Sequence, residues 1–124
     1  MNDLSNDTVR QLRRQVLAEG LVDWVSLPLL VGMTRDLEPT ADDERMRHVV
    51  LTTIQELLTE GLVVVGTLKT DLSGVAAWAT DVSGSIDRLA SEWVLLRHSA
   101  TKVMDAWLEN TPAGDEAARG MKGH

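Results

Sequence analysis

The chain has 124 residues, 44% of them hydrophobic and 25% charged, with a formal net charge of −7. This length and balance fit one soluble globular domain spanning residues 1–124 and exclude a disordered polyelectrolyte. The acidic excess opposes DNA phosphates at long range, where nucleic-acid binders usually present a basic surface.

Cysteine, phenylalanine and tyrosine are absent, leaving Trp24, Trp78, Trp93 and Trp107 as the large aromatic pieces. Disulfides, thiolate metal sites and a cysteine nucleophile are thereby excluded. No apolar run approaches the roughly 20 residues that span a bilayer. The opening MNDLSNDT is polar and acidic, unlike the basic start and apolar centre of a signal peptide. The expected location is the cytoplasm.

A first helix is expected over residues 7–19, with Thr8 as its cap, Gln11 completing a capping box and Gly20 as its stop. Val9, Leu12, Val16 and Leu17 share its apolar stripe. Residues 21–27, LVDWVSL, read as a short strand, and Pro28 suits the first turn of a second helix bearing Leu29, Leu30, Met33 and Leu37. A single helix over residues 22–37 has the same periodicity and stays open at this point.

The third helix is expected to start at Thr40, with Asp42, Asp43 and Glu44 opposing the positive end of its dipole. Met46, Val50, Ile54, Leu57 and Leu58 form its buried stripe, and Gly61 ends it. Residues 62–68 and 75–80 then read as the two strands of a hairpin around a polar turn. A fourth helix begins at Thr80 or Asp81, carries Val82, Ile86, Leu89, Trp93 and Leu96 on one face, and breaks at His98 and Ser99. A last helix is expected to carry Val103, Met104, Trp107 and Leu108, with Pro112 and Gly114 ending it and residues 111–124 forming a flexible tail. The expected class is mainly α with a small β-hairpin, residues 81–110 being appended helices.

The order helix, short strand, helix, helix, hairpin resembles the winged helix superfamily over residues 7–80. The residues that carry the resemblance are the run ELLTEGLVVVG at 56–66 and the run VAAWAT at 75–80. The resemblance implies a winged helix-like domain plus two C-terminal helices. In DNA-binding members the third helix enters the major groove and the wing touches the neighbouring backbone, whereas other members bind only proteins. An appended helix in the DNA binders often serves dimerisation.

Mapped here, a DNA reader would use Arg45, Arg47, His48, Thr52 and Gln55 on the third helix and Lys69 in the 68–74 wing. The leading end of that helix, where a reader normally offers Arg or Lys to phosphates, carries Asp42, Asp43 and Glu44 instead. Arg45 and Arg47 are therefore expected to pair with those carboxylates one turn away. Arg10, Arg13 and Arg14 read as a solvated helix face.

His48, His98 and His124 form no HxxxH or HxxE arrangement, and neither a GK[ST] phosphate loop nor a GxSxG elbow occurs. No metal, cofactor or catalytic residue is expected. The expectation is a small acidic, non-catalytic protein-interaction module, a homodimer included, with Trp93 and Trp107 as candidate interface residues. The alternative is a winged helix transcriptional regulator using residues 41–60 and the wing.

Overall fold

The computed structural model describes residues 3–98 and 106–122. These described residues form five helices and four short strands, a mainly α-helical fold with a small antiparallel sheet. Helix α1, Asp3–Gly20, buries Val9, Leu12, Val16 and Leu17, the stripe expected for it. Thr8 does not cap it. The helix begins earlier, and the Thr8 hydroxyl donates to the Glu38 carboxylate at 2.5 Å.

The strand expected over residues 21–27 contracts to β1, Val25–Ser26. Leu21, Val22 and Asp23 instead donate back to the carbonyls of Ala18 and Glu19, so they complete the last turn of α1 and have no sheet partner. Helix α2, Leu27–Leu37, follows directly. Ser26 Oγ accepts from the Leu29 amide and Pro28 occupies the first turn, where its missing N–H costs nothing.

Helix α3, Asp43–Thr59, is capped by Asp42, whose carboxylate accepts from the Arg45 amide at 2.8 Å. The expected cap, Thr40, lies two residues earlier in a turn closed by the Ala41 amide on the Glu38 carbonyl. Asp42 caps as well as a threonine and also carries charge against the helix dipole. At the other end Gly61 adopts φ +72, and the amides of Gly61 and Leu62 bond the carbonyls of Leu58 and Leu57. That pair of bonds is a Schellman ending, and it turns the chain straight into the sheet.

Strands β2, Val63–Leu68, and β3, Val75–Ala77, pair antiparallel as the expected hairpin, with Thr67 opposite Ala76. Helix α4, Val82–His98, starts where Asp81 accepts from the Gly84 amide at 2.8 Å. Its Leu89 and Trp93 enter the core.

The C-terminal part departs from expectation. Trp107 and Leu108 lie on a strand, β4, Trp107–Asn110, and not on a helix. Val103 and Met104, the other residues of that expected stripe, fall outside the described residues. Strand β4 sits centrally in the sheet order β1-β4-β2-β3, with Leu108 facing both Val25 and Val65. The physical reason is that the outer edge of β2 carries backbone groups that need partners, and β4 supplies them.

Residues 112–122 are not a flexible tail. They form helix α5, Pro112–Lys122, for which Pro112 is a first-turn residue and not a stop. Thr111 begins it, accepting on its hydroxyl from the Gly114 amide and donating that hydroxyl to the Gly61 carbonyl at 2.7 Å. Gly114 passes so close to the chain that a Cβ there would stand 2.0 Å from the Leu62 carbonyl oxygen.

One cluster of buried side chains runs through the fold. Leu12 and Val16 of α1, Leu30 of α2, Val49, Ile54 and Leu57 of α3, and Leu89 of α4 are fully buried, with Val65 and Leu108 from the sheet and Ala118 from α5. Each such aliphatic side chain adds about 1.5–3 kcal/mol relative to exposure.

Candidate functional site

The face expected to read DNA is α3 with the hairpin turn, and the structure divides its residues. Arg47, His48, Thr52 and Gln55 lie on one outer face of α3, together with Glu44 and Leu51, around a shallow depression of about 450 Å³. Arg45 does not join them. Its guanidinium turns toward the end of α2 and grips the Glu38 carboxylate with two parallel bonds, Nε at 2.8 Å and Nη2 at 2.6 Å. The expected ion pair with Asp42, Asp43 or Glu44 is thus replaced by one with Glu38.

Glu38 is the C-cap of α2, where its own amide bonds the Thr34 carbonyl, and its carboxylate also accepts from Thr8 of α1. Three helices meet at one carboxylate. The Arg45 guanidinium, helped by the Thr8 hydroxyl, holds the Glu38 carboxyl down at about 2 against the opposing effect of desolvation. A charge-assisted fork of this geometry is among the stronger hydrogen-bonded pairs.

Arg13 is similarly engaged. Its guanidinium bonds Glu56 at 2.7 Å and Glu60 at 2.6 and 2.7 Å, joining α1 to the C-terminal half of α3. These bonds, Glu60 first, raise the Arg13 pKa. Arg10 pairs with Asp7 on the α1 surface at 3.3 Å. Two of the arginines that could touch phosphate are therefore internal fastenings.

Lys69 is exposed at the start of the hairpin turn, two residues from Asp71. The Asp71 carboxylate accepts from the Ser73 hydroxyl and amide, which together with Lys69 lower its pKa. The hairpin turn thus offers one cation beside a fixed anion. Asp42, Asp43 and Glu44 are all exposed at the leading end of α3.

The two candidate interface tryptophans also part. Trp93 is 4% exposed and packs in the core, leaving a partner only the small edge of its ring that lines a groove beside α2 and α3. Trp107 is half-buried on β4, opposite Gly66 of β2 and Ser26 of β1. Trp78 is half-buried beside the hairpin, its indole donating to Thr67 at 3.3 Å and its ring covered by the Arg88 guanidinium at 3.9 Å.

Two features went unread in the sequence. A groove of about 390 Å³ opens between α2, α3 and α4, with Val31, Ala41, Met46 and Trp93 as apolar lining and Arg35 and Asp43 as charged lining. It is assembled from three helices, so no local pattern announces it. The second is Leu72, exposed at the hairpin turn with φ +59. A leucine inside the polar turn KTDLSG was the available signal.

Among the described residues no group of three or more His, Asp or Glu side chains is placed to hold a metal ion, and no helix is long and apolar enough to cross a membrane. No family model, no curated protein and no solved structure matches this chain.

Proposed function

We propose that this chain is a small acidic protein-interaction module without catalytic activity, built on a winged helix-like scaffold and working in the cytoplasm. The observation that carries this reading is the fate of the basic side chains. Arg45 is held by Glu38 and Arg13 by Glu56 and Glu60, while Asp42, Asp43 and Glu44 stand exposed where a groove reader would meet phosphate. Turning Arg45 outward would leave the Glu38 carboxylate without its main counter-charge.

A partner with a basic surface suits the acidic end of α3 and the net charge of −7. A second copy of the chain is the other partner this reading admits. The cysteine-free composition is compatible with a reducing compartment.

The alternative is a transcriptional regulator. It would have to rely on Arg47, His48, Thr52 and Gln55 of α3 with Lys69, a face on which Glu44 and Asp71 oppose phosphate. An electrophoretic shift series on mixed duplex fragments at low salt separates the two. The interaction reading expects no shifted band. A band that fades steeply with added salt and disappears in an Arg47→Ala/Lys69→Ala variant establishes the regulator instead.

A further inference from the structure

The turn joining β2 to β3 presents an exposed leucine on a rigid support. Leu72 is 63% exposed and its backbone sits at φ +59, a conformation that a side chain branched beyond Cβ rarely adopts. The turn is nonetheless tightly tied. Lys69 donates its amide to the Gly74 carbonyl, Leu72 donates to Lys69, and Asp71 accepts two bonds from Ser73, all within 2.7–3.0 Å. Behind it, the Glu109 carboxylate on β4 accepts from the Val75 amide at 2.8 Å. Asparagine or glycine would satisfy this backbone better, and neither would project an apolar side chain.

The same chain carries a concavity of matching chemistry. The groove between α2, α3 and α4 has the partly exposed Val31 and Ala41 as apolar lining over the nearly buried Met46 and Trp93, and its volume of about 390 Å³ exceeds one leucine side chain. The charges around the two features are complementary. The tip places Asp71 beside Leu72, and the groove carries Arg35 beside its lining. Leu72 is exposed in the single chain, so it is not seated in the chain's own groove.

We infer that the hairpin tip docks into this groove of a second copy, with Leu72 buried on the apolar lining and Asp71 facing Arg35. Reciprocal exchange, in which each copy gives one tip and receives one, is the twofold arrangement that ends the assembly at two copies. This inference rests on the protein-interaction reading above and names the partner as the chain itself. It also explains why a strained position holds a leucine. The side chain serves association and not the fold of the monomer.

The test uses the full chain in analytical ultracentrifugation over a wide concentration range. The expected result is a concentration-dependent dimer. Leu72→Asn removes two buried leucine contacts per dimer and is expected to weaken it at least about 100-fold, while the dilute monomer melts no lower than the parent. Arg35→Asp is expected to weaken it as well.

Because the chain has no cysteine, a second measurement is clean. Copies with Leu72→Cys mixed with copies with Ala41→Cys are expected to cross-link under mild oxidation, well above a mixture with Arg119→Cys. A monomer mass throughout overturns the inference. So does a dimer that neither Leu72→Asn nor Arg35→Asp weakens, or cross-linking no greater than the Arg119→Cys control. A monomer that also ignores duplex DNA removes this inference alone, whereas salt-sensitive DNA binding removes the reading beneath it.

Discussion

Replacing Glu38 by Gln removes the charge at the junction of three helices while keeping its size. In the folded chain the Arg45 guanidinium and the Thr8 hydroxyl hold the Glu38 carboxyl at about 2, against an ordinary value of 4.5. That difference corresponds to about 3 kcal/mol if it acted in full. The Glu38 side chain keeps 20% of its surface in water and that of Arg45 keeps 28%, so solvent screening reduces the expected contribution to about 1–2 kcal/mol.

The sign follows from the direction of the shift. A depressed carboxyl stabilises the fold above its unfolded value of about 4.5, and the gain is lost as pH falls toward about 2. Urea denaturation of parent and Glu38→Gln at near-neutral pH should differ by about 1–2 kcal/mol, and by less than about half of that near pH 3. An equal difference at both pH values would mean that shape or the Thr8 bond, and not the ion pair, carries the effect. No difference at neutral pH would refute the account of Arg45 as a structural arginine.

Two further changes probe the frame of the fold. Gly114→Ala places a Cβ against the Leu62 carbonyl and is expected to cost about 1–3 kcal/mol in thermal or chemical denaturation. A neutral result would return residues 112–122 to the status of a loose tail. Arg13→Ala leaves Glu56 and Glu60 without their shared cation, and is expected to cost about 1 kcal/mol, less at high salt because both carboxylates are nearly half exposed. A loss that salt leaves unchanged would point to the packing of the arginine stem instead.

The sequence was most informative where signals were local and mutually consistent. The Gly61 ending of α3 appears as read, and its stripe and the hairpin nearly so, with Val49 buried in place of Leu58 and the second strand stopping at Ala77, because a 3.6-residue period, a left-handed glycine and β-branched runs act within a few residues. Pro28 likewise marked the start of α2. The errors lie where one signal has two meanings.

Pro112 ends a helix as readily as it begins one, and the discriminating features were Thr111 before it and Asp115 in the following turn. Trp107 and Leu108 fit a helical spacing with residues upstream, but their fate is set by β2, a strand some 40 residues away in sequence that needs an edge partner. The site was less legible still. Glu38 gave no local hint that it would collect Arg45 and Thr8, since that meeting depends on how three helices pack.

On the proposed function, α3 and the hairpin turn at residues 68–74 do not read nucleic acid. A nitrogen-labelled amide spectrum of the full chain, titrated with mixed duplex DNA at low salt, addresses those surfaces directly. The amides of Arg47, His48, Gln55 and Lys69 are expected to keep their positions throughout the titration. Shifts concentrated on those amides, saturating with DNA and reversed by salt, would contradict it.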